Sequence, residues 1–194
     1  MIKVRNIFLF LLLINISVFA QEEEPDPRDY DCAKNHTYSF SDRLNHYPFN
    51  ASKKVVVVSF DAASEDSVYV ASPDSLDEEK HIRIPIKNNQ LDTEKIKENF
   101  ILTTKQLEGL TEILYNYDYR NDKGVRSATQ CFEPHHGLVF LDEQNKIVAY
   151  VEICFICSNF EVSNEKIEIG NFCFGKFKLL KQLFKDVGVK VMIE

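Results

Sequence analysis

The chemistry-bearing residues of this chain concentrate in one stretch, residues 131–157, which reads CFEPHHGLVFLDEQNKIVAYVEICFIC. Cys131, His135, His136, Cys154 and Cys157 are soft and borderline ligands suited to a metal site. The CxxC lacks a matching second ligand pair at zinc-finger spacing, so the metal is left unassigned. Cys154-Phe155-Ile156-Cys157 also has the spacing of a dithiol redox pair. That chemistry favours a first cysteine at a helix N-terminus, where the dipole stabilises the thiolate, and this CxxC instead ends a strand-like run. Cys131 and His135 form no recognisable nucleophile–base pattern, with neither an oxyanion hole nor a nucleophile elbow, and no catalytic residue is assigned.

Cross-linking is the plainer reading of the same sulfurs. All five cysteines, Cys32, Cys131, Cys154, Cys157 and Cys173, are disulfide candidates, and five is odd, so at least one thiol is free, bonded to another chain or reserved for chemistry. If Asp142 faces Lys146 across a turn, Cys131 falls opposite Cys157. Facing Cβ atoms in an antiparallel pair are about 4.5–5.5 Å apart, near the roughly 3.5–4.5 Å a disulfide needs. Cys131–Cys157 is therefore the leading bridge, a slip of one residue being its main hazard. Cys154 or Cys157 with Cys173 is the competitor, and Cys32 either clasps the N-terminal segment or stays unpaired. A binding surface, if one exists, is expected where loops converge: Arg120, Arg126, Glu133, His135 and His136.

The elements that position these residues follow from periodicity. Residues 54–60 (KVVVVSF) are a β-branched run suited to a strand buried on both faces. Residues 67–72 and 81–86 alternate as strands, and with 54–60 the simplest topology is a three-stranded meander. Thr103 and Gln106 make a capping box, and Leu102 and Leu107 a hydrophobic staple, at the start of a helix carrying Leu107, Leu110, Leu114 and Tyr117 on one face. A hairpin follows, 137–141 and 146–155, with Asn145 in the left-handed position of its turn. A short strand is expected around 166–169, an amphipathic helix over 176–187 ended by Gly188, and a last short strand at 189–193. Residues 32–52 show no clear period. The pattern predicts an α+β fold: a mostly antiparallel sheet, with an N-terminal meander plus a later hairpin, and two amphipathic helices packed on it.

The N-terminus reads as a cleavable secretory signal. Lys3 and Arg5 precede an apolar stretch over 7–16, and Val18 and Ala20 sit at the −3 and −1 positions of a cleavage site before Gln21. An uncleaved anchor is the rival, disfavoured by the short apolar core and the acidic run after it. The expected organisation is a signal peptide over 1–20, a flexible acidic tether over 21–31 and a single domain over 32–194. Losing Lys3 and Arg5 takes the formal charge from −7 to −9. That balance argues against general nucleic-acid or anionic-membrane binding, which rests on clustered Lys and Arg, and no later segment is apolar for long enough to span a bilayer. His36, His46 and His81 are read as surface or structural. The acidic loop holding Asp61, Glu65 and Asp66 lacks calcium-loop spacing. Asn35-His36-Thr37 and Asn50-Ala51-Ser52 match the glycosylation acceptor pattern, which matters only in a eukaryotic producer.

A resemblance runs through several of these motifs. The series Leu102-Thr103-Thr104-Lys105-Gln106-Leu107, Asn116-Tyr117, residues 131–140 (CFEPHHGLVF), residues 152–157 (EICFIC) and Cys173 before Lys176 resembles a group of small exported proteins of Bacteroidota-type bacteria. It covers about residues 100–188. It implies a Gram-negative periplasmic or secreted setting and supplies no catalytic residue. The expectation is an exported, disulfide-stabilised protein that binds a protein partner in the cell envelope without a cofactor. Thiol-redox or metal handling at the hairpin is the alternative.

Overall fold

The structure, a computed structural model, describes residues 31–61, 68–70, 80–120 and 132–193, with the backbone alone for 68–70 and 80–82. The expected signal peptide and nearly all of the tether lie outside these residues. In chain order come β1 (Cys32–Lys34), α1 (Phe40–Leu44), a 3₁₀ turn (Phe49–Ala51), β2 (Lys54–Phe60), β3 (Val68–Val70), β4 (Lys80–Ile82), β5 (Ile86–Lys87) and β6 (Gln90–Leu91). They are followed by β7 (Ile96–Ile101), α2 (Thr104–Asn116), β8 (Tyr117–Tyr119), β9 (His136–Leu141), β10 (Ile147–Cys154), β11 (Asn159–Val162) and α3 (Phe174–Val187). The fold is α+β and mostly antiparallel, as the periodicity predicts.

Its frame is a five-stranded antiparallel sheet in the order β11-β10-β9-β2-β7. The unbroken valine run of β2 sits near the middle because both of its faces are covered. Val55 and Val57 join Leu138, Phe140, Val151 and Ile153 beneath α2 and α3. Val56, Val58 and Phe60 join Val139 and Tyr150 beneath Ile84 and Ile96. The expected N-terminal meander is not formed. β2 pairs with β9 and β7, while β3 and β4 pair with each other in a separate two-stranded ribbon. Six consecutive pairs with β9 let every valine of β2 meet an apolar strand, which the three-residue β3 and β4 do not offer.

The second face is closed by a plug. Glu152 Oε1 accepts the backbone N–H groups of Arg83 (2.6 Å) and Ile84 (2.7 Å), and Ile84 lies over Gly137. A Cβ on Gly137 would stand 2.7 Å from Ile84 Cδ1 and 2.9 Å from the Val151 carbonyl oxygen, so only glycine admits the isoleucine.

Both predicted helices form. Thr103 and Gln106 close the capping box of α2, and α3 ends at Gly188 in a left-handed conformation (φ 118°). The β9–β10 turn places Asn145 at φ 59°, as expected. Two late strands are corrected. The strand of that region is β11, at 159–162 rather than 166–169. Residues 189–193 are not a strand: Val189 and Ile193 are buried in the helix-side core, and Lys190 and Val191 donate to Glu98.

Candidate functional site

Cys32 and Cys173 form a disulfide (Cα–Cα 5.5 Å) that fastens β1 to the N-cap of α3. This corrects the expected competitor pairing of Cys154 or Cys157 with Cys173. Its reason is nonlocal: β1 pairs with β8, which carries Cys32 across to the start of α3. Cys154 and Cys157 lie at disulfide distance of each other (Cα–Cα 5.2 Å) across the turn joining β10 to β11, where Cys154 pairs with Asn159. The Cys157 N–H donates to Cys154 Sγ at 3.1 Å. Cys131 lies outside the described residues, and with it the expected Cys131–Cys157 bridge. The register argument for that bridge does not hold. A bulge between Ile147 and Ala149 shifts the β9–β10 pairing by one residue, and the ladder stops at His136 opposite Ile153.

His136 does not face the CxxC. His136 is buried on the helix side, its Nε2–H donating to the Val191 carbonyl (2.9 Å) and its ring packed against Phe155 and Phe184. By strand alternation Cys154 faces the opposite side of the sheet. Burial, opposed by the Val191 hydrogen bond and by Glu98, holds the His136 imidazole below its ordinary pKa. Next to it Ser59 donates to Glu98 (2.9 Å), which also accepts the Lys190 and Val191 N–H groups. Glu98, Ser59 and His136 thus clasp the C-terminal segment. His135 Nδ1 stands 3.3 Å from the Phe60 carbonyl oxygen, Glu133 is exposed, and Arg120 at the end of β8 is tied through its N–H to Asp31. Arg126 lies outside the described residues. Among the described residues no three His, Cys, Asp or Glu side chains stand together as a metal site, and no helix is long and apolar enough to cross a membrane.

A different place collects polar and aromatic groups. Where α2 runs directly into β8, a cleft of about 580 Å³ is lined by His36, Tyr38, His46, Tyr115, Tyr117, Asp118, Phe160 and residues 167–171. Asn116, buried at the end of α2, anchors the segment that carries His36 and Tyr38. Its carbonyl accepts the Asn35 and His36 N–H groups, and its side chain exchanges hydrogen bonds with the Tyr38 backbone. Arg43 then locks α1 to α2, bonding Thr111, Glu112 and the Tyr38 carbonyl. On one side His36 stacks on Tyr38 (5.2 Å between rings) and faces Asp118 at 3.6 Å. On the other, His46 stacks on Tyr115 (4.5 Å) and bonds Glu168 at 2.9 Å.

A buried cation lies beneath the floor. Lys176 is wholly buried, donating from Nζ to the Leu114 carbonyl (2.6 Å) and to the Asn171 carbonyl, beside the Phe172 ring. Gly170 (φ 69°) makes this possible, since a Cβ there would run into the Leu114 carbonyl oxygen. Burial lowers the Lys176 pKa to about 8, with Asp118 opposing. Burial pushes the Asp118 carboxyl up, but the Tyr119 N–H, the Asn171 amide, His36 and Lys176 together hold it below the ordinary range.

His36 and His46, read from sequence as surface or structural, are thus the imidazoles of this cleft. Each pairs with a carboxylate far away in the chain, His46 with one 122 positions on, so no local spacing announced them. No family model matches the chain, and none of the curated proteins or solved structures matches it either.

Proposed function

We propose that the protein is an exported, disulfide-fastened binding protein of the periplasm or extracellular space, one that receives a group of a cell-envelope partner in the cleft beside β8. The observation that carries this reading is the cleft. Its lining comes from residues 36–46, the end of α2, β8, β11 and residues 167–171, and the Cys32–Cys173 bond braces the wall that β1 leads into. A pre-formed concave site with aromatic walls and a few placed polar groups is the usual form of a ligand pocket. The test is a backbone-amide NMR titration with small cationic, neutral and anionic aromatic probes. Saturable shifts confined to residues such as Tyr115, Asp118 and Ile169 support the reading; probes that all leave the cleft unmoved overturn it. Intact mass of the exported protein, starting at Gln21, tests the compartment.

A second reading, thiol exchange at the CxxC, is favoured by two observations. The β10–β11 ladder already closes the turn that a Cys154–Cys157 bond would span, so that bond adds little as a staple. The Cys157 N–H aimed at Cys154 Sγ also suits an anionic sulfur. Mass spectrometry of differentially alkylated cysteines, after graded dithiothreitol, is expected to show Cys154 and Cys157 reduced before Cys32 and Cys173. The reverse order removes this reading.

A further inference from the structure

We infer that the cleft beside β8 selects a cationic group, an ammonium or guanidinium, carried on an apolar body; this rests on the cleft being the binding site. Two carboxylates line it, Asp118 and Glu168. Their side-chain partners within the cleft are His36 and Asn171 for Asp118 and His46 for Glu168. These two carboxylates outnumber the nearby lysine ammonium, that of Lys176. That ammonium lies beneath the floor, committed to the Leu114 and Asn171 carbonyls, so it presents no anion-binding group to the cleft. The remaining walls are the rings of Tyr38, Tyr115, Tyr117 and Phe160 with the aliphatic Val162, Ile167 and Ile169. Aromatic faces attract cations through the ring quadrupole, and the aliphatic side accepts the apolar body. The strongly acidic chain, formally −7, adds a long-range field of the same sign.

Two sources share this chemistry: a free organic amine, and a lysine or arginine side chain presented by a protein. Benzyltrimethylammonium and the capped tripeptide acetyl-Ala-Arg-Ala-amide represent them, with neutral neopentylbenzene-type and anionic benzoate probes as controls. In NMR titrations one or both cations are expected to saturate shifts in the cleft at least tenfold more tightly than either control. Asp118→Asn with Glu168→Gln, which keeps hydrogen-bonding groups in place, is expected to weaken the cation roughly tenfold and leave the neutral probe unchanged. Raising salt is expected to weaken the cation alone. Tighter binding of the tripeptide assigns the source to a protein, and of the quaternary amine to a small molecule. Neutral or anionic probes that bind the cleft as well as the cations overturn the inference and leave the binding reading standing. Probes that all fail to reach the cleft overturn both.

Discussion

One carboxylate oxygen of Glu152 holds two successive backbone N–H groups, those of Arg83 and Ile84, and through them seats Ile84 over Gly137. Burial pushes the Glu152 carboxyl above its ordinary pKa, the two N–H bonds and Arg83 opposing. A raised folded-state pKa means that this group's contribution is fully present below its unfolded value and is lost as pH rises through the folded one. Glu152→Gln keeps an acceptor for both N–H groups and removes the buried charge. Urea unfolding is expected to show it no less stable than the parent at pH 8 and to lose that advantage toward pH 4. Glu152→Ala leaves two buried donors unpaired and is expected to cost about 2–5 kcal/mol.

The Cys32–Cys173 bond closes a sequence separation of 141. Replacing both cysteines by alanine is expected to lower stability by about 2–5 kcal/mol, read as a loss of Tm. The largest amide shifts are expected at His36 and Tyr38, because β1 leads directly into that wall. A double variant as stable as the parent would mean that β1 is held by its ladder with β8 alone.

His136 gives the opposite sign to Glu152. Its pKa is depressed, so its contribution is present above the ordinary histidine value of about 6.5 and lost as pH falls through the folded value. The contribution of this group to the pH–stability curve is expected to decline as acid is added below about pH 6.5. His136→Gln, which retains a donor for the Val191 carbonyl, is expected to flatten that part of the curve. An unchanged curve would place the acid sensitivity elsewhere.

Lys176 titrates at the other end. With a folded pKa of about 8 against about 10.5 unfolded, its contribution grows as pH rises between those values and is lost as pH falls through 8. The neutral amine still has two N–H donors for Leu114 and Asn171. Relative to Lys176→Met, the parent is therefore expected to gain on the order of 3 kcal/mol of stability from pH 8 to 10.5. A difference independent of pH would show that the ammonium is solvated.

What the sequence revealed follows the range of the interactions. The capping box at Thr103, the stop at Gly188 and the turn at Asn145 are local, and all three were legible. Residues 32–52 were not. α1 is only five residues long, too short to show a period, and its Ser39–Asp42 capping box carries Asp where the usual pattern has Glu or Gln. Its place is fixed by Arg43 reaching α2. β7 was missed for a similar reason: its pairing with the valine run makes it a strand. The cleft was invisible because its histidines and carboxylates meet only after folding, whereas in the hairpin, where the candidate ligands cluster in sequence, His136 points to the other side of the sheet from Cys154.

The bond between Cys32 and Cys173 also orders events as the polypeptide is made. Ribosomes add about 5–20 residues per second, so the first cysteine to emerge waits on the order of ten seconds for its mate. Cys131, Cys154 and Cys157 all appear in that interval. A bond between Cys154 and Cys157 takes two of these three competitors out of play, so early closure of that bond, or an isomerase that undoes mistakes, favours the correct pairing of Cys32.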